Sequence, residues 1–391
     1  MIYRYLIAII LGYLCGYFDF ALNEANFISE IFIKIFKLLS LPIIVVSLIV
    51  SLSKQSSDIE LKKIGKQTLV YTIGTTVAAA FIASIVYTII SPSNVKMISN
   101  IVSHDIPIGK YSEYVLNIIP SNIFSTFLEH NVVGSLLIGI IIGIAIRYLP
   151  NSEFLVAHNF FKSIHGIFLI VIEWTIKMLP IAIFGFVVTA VAQLRGGTNI
   201  KGLGEYLSIV IIANIIHGII VLPIFLRANK IFPFVYLKAM FPALSVAFFS
   251  KSSVGTLPIT MSTAENNLGI SREISRFVFP LCTAINMNAC AAFIFTTVIY
   301  VMQNYGIEIT PMLLLQWIFI ATIVAIGNAG VPMGCFFLSM SLLTSMDIPI
   351  DILWLILPFY SVIDMGETAL NVWSDVCVVS VIDKKLRIHH D

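Results

Sequence analysis

The sequence predicts an all-α polytopic membrane protein, and three observations support this fold class. Hydrophobic residues make up 58% of the 391 residues and charged residues only 11%, with a mean hydropathy of +0.97. A soluble domain needs more polar groups than this to cover its surface. Apolar runs long enough to cross about 30 Å of hydrocarbon as helices recur along the chain. After about residue 233 these runs become shorter and are interrupted by Gly, Pro, Ser and Asn.

The first part of the chain contains six uninterrupted apolar runs. The first of them, YLIAIILGYLCGYF, has no small-residue cleavage site and leads directly into further runs. We therefore interpret it as a retained helix and not as a removed signal peptide. The segment 91–130 contains SPSN, HDIPIGK and IIPSN, and this turn-rich composition predicts a loop outside the membrane. The predicted spans are 2–20, 28–53, 67–90, 131–149, 165–193 and 203–228.

Cationic residues cluster at particular connections, and these clusters predict the orientation of the chain. Cytoplasmic loops of membrane proteins are enriched in Lys and Arg, whereas the loop 91–130 carries few of them. We therefore expect a multi-pass protein of the plasma (inner) membrane with both termini in the cytoplasm. The clusters are Lys54, Lys62, Lys63 and Lys66; Arg227, Lys230 and Lys238; Arg272 and Arg276; and Lys384, Lys385 and Arg387.

The sequence lacks the motifs of several enzyme classes. It contains no HExxH, no Gly-x-Ser-x-Gly, and no Gly-x-Gly-Asp of the intramembrane aspartyl proteases. Its cysteines lie in or beside apolar stretches without CxxC spacing, which is typical of small buried hydrophobic residues. We therefore expect no enzyme activity, no covalent cofactor and no nucleic-acid partner. The five cysteines are Cys15, Cys282, Cys290, Cys335 and Cys377.

Two interrupted segments follow residue 233, and each is succeeded by a segment that carries polar residues. FFSKSSVGTLP (248–258) precedes PLCTAINMNACAAF (280–293), and IGNAGVPMG (326–334) precedes IDMGETALNVWSD (363–375). Backbone that is not helical at membrane depth is tolerated only where it faces protein or a water-filled cavity. A kink or a helix-packing cluster would explain one interruption alone. Two interruptions in matching positions indicate the binding site of a transporter.

The last polar segment places five polar side chains on one face of a helix. On a helical wheel they fall within an arc of about 100°. Acidic side chains within a bilayer are costly and face ions, partners or water. We therefore predict a binding surface on this face, with internal salt bridges to Lys251 or Lys177 as the alternative interpretation. The five residues are Asp364, Glu367, Thr368, Asn371 and Asp375.

Oxygen donors suited to a hard cation occur in two other apolar runs. Asn286, Met287 and Asn288 lie in the middle of the seventh run, where amide and backbone oxygens suit Na⁺ and the Met287 sulfur offers a weaker contact. Thr75 and Thr76 add hydroxyl groups in the third run, although threonine in a membrane helix commonly bonds to its own backbone. His217 in the sixth run is interpreted as an internal hydrogen-bonding group.

These motifs resemble those of the dicarboxylate/amino acid:cation symporter family, which includes the glutamate and neutral amino acid transporters. SKSSVGTLPITM, INM, IGNAGVP and IDMGETALNVWSD occur in the family's order and spacing, and LSLPIIVVSLIVSL extends the likeness to the second run. The resemblance implies eight transmembrane helices and two re-entrant helical hairpins, arranged as inverted repeats. It also implies a homotrimer in the lipid membrane, in which a scaffold supports a transport region that moves by an elevator-type alternating-access mechanism.

The same resemblance divides the chain into scaffold and transport regions. The scaffold comprises 1–66 (helices 1 and 2) and 131–202 (helices 4 and 5), with 91–130 as an extracytoplasmic loop. The transport region comprises 67–90 (helix 3) and 203–391. Within 203–391 lie helix 6, a hairpin over 235–265, helix 7, a hairpin over 312–345, and helix 8.

The resemblance also assigns roles to individual residues. The two hairpin tips and Asn371 would bind the carboxylate of the substrate, and Asp364 would receive its ammonium group. The substrate ligands implied in this way are Ser252, Ser253, Val331, Gly334, Asp364, Glu367, Thr368 and Asn371. The Na⁺ ligands implied are Asp375 with the backbone near Asn286 and Asn371; Met287 with the backbone near Ala325, Ile326 and Asn328; and Thr75, Thr76 and Asn286.

Two positions depart from the family pattern. Members that take acidic substrates have Arg where Glu367 stands, and that Arg binds the side-chain carboxylate. An ionised Glu367 would repel such a group, so we expect a neutral or cationic amino acid in preference to an acidic one. Asn288 stands where the family usually has Asp, which weakens the third cation site. Lys251 at the first hairpin tip could pair with either Glu367 or Asp364.

The coupling ion and the class of transport stay open at this point. Burial favours the neutral form of a carboxyl group and a nearby cation favours its charged form, so Glu367 is a candidate proton carrier. Both Na⁺ and H⁺ are therefore candidate coupling ions. The predicted function is a secondary active symporter for an amino acid or dicarboxylate. A passive channel for polar solutes or ions is the alternative, because polar stripes and broken helices also line pores.

Overall fold

A computed structural model describes residues 2–53, 59–95, 122–128, 132–195, 201–328, 330 and 333–390. Every regular element within these ranges is a helix, as the composition predicts. The helices of the first half are α1 (Ile2–Tyr17), α2 (Leu22–Leu52), α3 (Ile59–Ile90), α4 (Ser125–Leu128), α5 (Val132–Ile146) and α6 (Asn151–Arg195).

Within the described residues the second half is divided into more helices than the first, and most of them are short, in agreement with the interruptions in its sequence. A π-helical turn at His217–Val221 joins the first two of them into one continuous rod. These helices are α7 (Lys201–Ile216), α8 (Leu222–Ala228), α9 (Pro233–Ser250), α10 (Ser253–Leu268), α11 (Arg272–Ile285), α12 (Asn288–Asn304), α13 (Pro311–Ile326), α14 (Gly334–Ser345) and α15 (Asp351–His390).

Six helices in the described part of the chain are long and apolar enough to cross a membrane. They include Ile64–Ile90, the rod Lys201–Ala228, and Arg272–Asn304, which contains the break between α11 and α12. Shorter apolar helices such as Pro311–Ile326 accompany them. The molecule is therefore a multi-pass membrane protein, whereas its division into eight spans and two re-entrant hairpins stays a prediction.

The longest helix extends beyond its predicted span. The sequence predicts a span over 165–193, whereas α6 begins at Asn151 and ends at Arg195. Almost none of the segment Asn151–Ile172 is buried inside the protein. These residues therefore lie on an exposed helical surface, where polar side chains do not interrupt the backbone hydrogen bonds.

The start of the predicted loop 91–130 is hydrogen-bonded to two helices. Glu205 of α7 accepts a hydrogen bond from the backbone N–H of Ser93 at 2.7 Å. Asn304 of α12 accepts one from the N–H of Val95 at 2.6 Å. The loop also contains the short helix α4, and its segment 96–121 lies outside the described residues.

The helix α12 lies at the centre of the second half. Its residues from Asn288 to Met302 are all buried, and it packs against α3, α7, α13, α14 and α15. The helices α1, α2, α5 and α6 pack mainly with one another. Because α12 has no exposed face over this length, the polar side chains at its beginning must find partners inside the protein. Those partners form the candidate site.

Candidate functional site

The candidate site lies where two helix tips, one helix break and the middle of α15 come together. Lys251 from the connection between α9 and α10 acts electrostatically on Asp364 of α15, and the backbone of Met333 before α14 lies near the same carboxylate. Asn328 after α13 donates to the sulfur of Met287, in the break between α11 and α12, at 3.6 Å. Segments that are far apart in the sequence therefore share one site.

The backbone leaves the helical conformation at each of these interruptions. Lys251 and Met333 adopt left-handed conformations, with φ of 56° and 61°. Asn286 (φ −92°, ψ 75°) and Met287 (φ −108°, ψ 59°) separate α11 from α12. Each break starts a new helix, and the first N–H groups of a helix have no partner within it. The positive ends of three helices, α10, α12 and α14, therefore begin at these interruptions.

The polar stripe predicted on the last helix lies inside the protein. Asp364, Glu367, Thr368, Asn371 and Asp375 are exposed by only 4, 1, 6, 3 and 1% respectively. Thr368 donates to the backbone oxygen of Asp364 at 2.8 Å, so its hydroxyl hydrogen is used within the helix. Three acidic groups on one buried stripe require compensation from hydrogen bonds or cations.

Asp364 keeps one carboxylate oxygen without a partner. Its Oδ2 is buried and accepts no hydrogen bond from any residue in the described ranges. The Lys251 ammonium acts on this carboxylate and also donates to Ser361 Oγ at 2.5 Å. A buried anion with an open oxygen is suited to a charged donor such as an ammonium group.

Glu367 lies one turn further along, in a more apolar environment. Tyr360 donates to its Oε2 at 3.2 Å, whereas its Oε1 has no partner within the described part of the protein. Cys335 of α14 lies near the same side chain, and the centre of the Phe293 ring lies 4.7 Å from the centre of the Tyr360 ring. Asp364 is close enough to act on Glu367 electrostatically. An anionic ligand group placed here would therefore meet two carboxylates.

Asp375 lies two turns beyond Glu367 and is held by neutral donors. Asn286 donates to its Oδ1 at 2.9 Å, and Thr283 donates to its Oδ2 at 3.2 Å. The nearby Asn371 accepts from the N–H of Ala289 at 2.9 Å and so caps the N-terminus of α12. Each carboxylate oxygen of Asp375 has further lone pairs available. The group is therefore a candidate ligand for a cation beside the helix break.

Part of the second predicted cation site is assembled around Asn328, at the tip between α13 and α14. The Oδ1 of Asn328 is buried and lacks a partner among the residues that the structure describes. The backbone N–H of Asn328 donates to the carbonyl of Ala325 at 3.0 Å, which closes a tight turn after α13. A side chain on Gly334 would overlap this same Oδ1, so the close approach requires glycine. Met287 completes the group through its sulfur.

The remaining tip residues occupy the ends of helices. Ser252 is the N-cap of α10 and accepts from the N–H of Gly255 at 3.0 Å. Ser253 begins α10 and is buried, and Ile326 ends α13. Val331 lies outside the described residues.

Thr75 and Thr76 belong to a cluster around the side-chain amide of Asn288, and Thr75 also donates to Asn286 Oδ1 at 3.2 Å. Both hydroxyls lie near the Oδ1 of Asn288, at 3.4 and 2.7 Å. The Nδ2 of Asn288 lies 3.0 Å from His217 Nε2 and donates to Ser374 Oγ at 2.5 Å. The donors and acceptors of this amide are therefore all used by neighbours from α3, the π-helical turn and α15. This cluster fixes four elements to one another, in contrast to the open oxygens of Asp364 and Glu367.

Four residues of the site were not predicted from the sequence. Tyr360 could have been found from its spacing, because it stands two helical turns before Glu367 and so falls on the same face. It was not singled out because it lies within the apolar run ILWLILPFYSV. Thr283, Cys335 and Ser374 reach the site from other faces or helices, and no local pattern singles them out.

Comparisons with known proteins agree with the resemblance in the motifs. A family model described as the Sodium:dicarboxylate symporter family matches residues 1–385. The neutral amino acid transporter B(0) of Bos taurus is 25% identical over 393 residues, covering 90% of this chain and 72% of that protein. The Rattus norvegicus B(0) protein is 29% identical over 254 residues, covering 63% of this chain and 45% of the relative. The neutral amino acid transporter A of Homo sapiens is 28% identical over 258 residues, covering 64% and 48%. The matches to the rat and human proteins thus span less than half of their length.

Proposed function

The chain belongs to the sodium:dicarboxylate symporter family, and on that premise we propose that it is a secondary active symporter for an amino acid. Uptake of the amino acid is coupled to a Na⁺ or H⁺ gradient. The relatives described above are neutral amino acid transporters, which supports an amino acid as the substrate. Na⁺ and H⁺ act as cargo and not as resident cofactors.

One observation carries this proposal. Asp364 and Glu367 are almost fully buried, and each has a carboxylate oxygen without a partner in the described chain. Buried charged groups are normally paired, so this arrangement favours an occupant that brings hydrogen-bond donors. The helices that begin at Ser253 and Gly334 provide N–H groups for a carboxylate. An amino acid zwitterion offers an ammonium group to the acids and a carboxylate to the helix ends.

The coupling ions bind beside the substrate, at the break between α11 and α12 and at the end of α13. A cation at Asp375, with backbone oxygens near Asn286 and Asn371, compensates a carboxylate that has only neutral partners so far. A second cation takes Asn328 Oδ1 and the Met287 sulfur as ligands. Each cation orders groups that the substrate also contacts, so ion and substrate strengthen each other's binding through a coupling free energy.

The substrate is a neutral or cationic amino acid and not an acidic one. Its side chain extends towards Glu367, which is 1% exposed and lies beside a second carboxylate, Asp364. A carboxylate in the same space is repelled, while a hydroxyl, amide or amino group can donate to Glu367 Oε1. If Glu367 takes up a proton, it serves as the proton carrier as well.

The transport cycle is of the elevator type, in a homotrimer in the plasma membrane with both termini in the cytoplasm. The scaffold consists of 1–66 and 131–202, and the transport region of 67–90 and 203–391. The separate packing of α1, α2, α5 and α6 supports this division. The substrate and ion ligands then move together as one unit, because α12 joins the helices that carry them.

Uptake into proteoliposomes tests the proposal. The purified protein should accumulate a radiolabelled amino acid above the external concentration only under an inward Na⁺ or H⁺ gradient. Flux that never exceeds the external concentration would instead support a passive channel.

A matched pair of variants locates the substrate site. Asp364→Asn should weaken amino acid binding by roughly 10- to 150-fold, because a charge-assisted hydrogen bond contributes ~1.5–3 kcal/mol. Asp347→Asn, at an exposed acid in the turn after α14, should bind as the unmodified protein does. Unchanged binding by Asp364→Asn in a thermal-shift titration would remove Asp364 from the site.

A further inference from the structure

A groove remote from the polar stripe runs along the π-helical turn, α8 and the start of α9. Its cavity measures about 570 Å³. Six of its lining residues are large and apolar and are exposed by 50 to 71%. They are Ile219, Ile220, Ile224, Phe232, Phe234 and Val235. Such a continuous apolar surface suits hydrocarbon.

Cations lie at one end of this groove. Arg227 lines it, with its guanidinium carbon 4.7 Å from the centre of the Phe232 ring. A second cavity of about 300 Å³ shares Phe232 and is lined by Lys230 and Lys384. The Lys384 ammonium donates to the backbone carbonyl of Lys230 at 2.6 Å, so the charge of Lys384 lies beside the connection between α8 and α9. One acid, Asp383, also lines this second cavity and accepts a backbone N–H at 3.0 Å.

The dimensions and depth of the groove match part of a lipid. Arg227 lies in the last turn of the apolar rod Lys201–Ala228, and the next apolar helix begins at Pro233. Arg227 and Lys230 therefore lie where one membrane helix ends and the next begins. From Ile219 to Arg227 the helix rises by about 12 Å. This is close to the ~15 Å depth of hydrocarbon in one leaflet.

We propose that this groove binds one anionic phospholipid. Its phosphate lies against Arg227 and Lys230, and an acyl chain covers the isoleucines of α8 and the π-helical turn. Basic pockets between membrane helices on the cytoplasmic side have the chemistry that binds anionic headgroups. The cationic clusters of the sequence predict that this end of the rod faces the cytoplasm. A free phosphate ion would leave the apolar part of the groove uncovered, and only a lipid satisfies both parts.

Native mass spectrometry tests this proposal with the full-length protein. The protein, purified in mild detergent, is titrated with phosphatidylglycerol and with phosphatidylcholine of the same acyl chains. Each basic residue near a lipid headgroup contributes about fivefold to binding of an anionic lipid. We expect one tightly retained phosphatidylglycerol per chain and a preference of roughly 25-fold over phosphatidylcholine.

Three variants separate the groove from general surface charge. The double variant Arg227→Gln, Lys230→Gln should lose most of the preference for phosphatidylglycerol. Lys238→Gln, at an exposed cation on α9 that lines neither cavity, should keep it. Ile224→Trp should fill the groove and reduce retention of the lipid. Arg227, Lys230 and Lys238 are all exposed, so their replacement should leave the protein folded. Size-exclusion chromatography of each variant verifies this.

Several outcomes would overturn the proposal. Equal retention of the two lipids would show that the cations do not select a headgroup. An equal loss of preference in Lys238→Gln would indicate nonspecific surface charge. Displacement of the lipid by inorganic phosphate at the same concentration would show that the apolar groove adds nothing. A change of oligomeric mass in Ile224→Trp, with lipid retention unchanged, would show that a second copy of the chain covers this face.

Discussion

Replacing Glu367 by glutamine is the most direct test of how the protein selects its substrate. The substitution keeps the shape of the side chain and retains an oxygen that can accept from Tyr360, which now donates to Oε2 at 3.2 Å. It removes an ionisable group from a position that is only 1% exposed. We expect the variant to accept acidic amino acids far better, relative to neutral ones, than the unmodified protein does.

The magnitude for the ionised form of Glu367 follows from the electrostatic interaction between two carboxylates. A side-chain carboxylate of the substrate would lie about 4–5 Å from that of Glu367 in direct contact. At an effective dielectric constant of about 20, two unit charges at this distance repel each other by ~3–4 kcal/mol. Because ~1.4 kcal/mol corresponds to a factor of ten, the penalty is roughly 100- to 1,000-fold. Glutamine removes the repulsion and adds an N–H₂ donor.

The assay is uptake of radiolabelled aspartate and alanine into proteoliposomes under the same ion gradient. The measured quantity is the ratio of kcat/KM for the acidic and the neutral amino acid, which does not depend on the amount of folded protein. Glu308→Gln, at an exposed acid between α12 and α13, is the matched control and should leave the ratio unchanged. A ratio for Glu367→Gln within threefold of the original value would refute the placement of Glu367 beside the substrate side chain.

Three further substitutions test other parts of the site. Gly334→Ala should reduce uptake at least tenfold, since the added methyl group overlaps a buried amide oxygen, while Gly366→Ala, where an added methyl group meets nothing within 4 Å, should stay within twofold. Normal uptake by Gly334→Ala would contradict the described tip. Asp375→Asn should raise the Na⁺ concentration for half-maximal uptake at least tenfold, and the exposed Asp351→Asn should not; an unchanged Na⁺ response would exclude Asp375 as a ligand. His217→Ala leaves a buried amide donor unpaired and should destabilise the protein by ~1–3 kcal/mol, seen as a lower midpoint in thermal unfolding. An unchanged midpoint would show that the cluster around Asn288 does not hold α3, α12 and α15 together.

The polar stripe of α15 could be predicted because it is a local property. Asp364, Glu367 and Asn371 repeat at helical spacing, so a helical wheel alone places them on one face. Burial of that face followed from the cost of acidic groups in a bilayer. The interruptions around Lys251 and Asn328 were visible for a similar reason, since Ser, Gly and Pro disrupt helices locally.

Partners from distant parts of the chain could not be predicted in this way. The contact of Asn288 with His217 joins residues 71 positions apart, and that of Thr283 with Asp375 joins residues 92 apart. Both depend on how separate helices pack, and neither threonine nor histidine carries a spacing signal for its partner. The close approach of Gly334 to Asn328 is likewise a property of the folded tip.

The amino-acid sequence alone predicts the all-helical membrane class, the places where helices break, and the polar face of α15. These features depend on hydropathy and on hydrogen bonds between residues close in the chain. Only the tertiary structure decided which buried polar groups satisfy one another and which do not. Asn288 is saturated by three other elements, while Asp364 and Glu367 each keep an open oxygen. That distinction depends on distances between helices, which no local pattern in the sequence encodes.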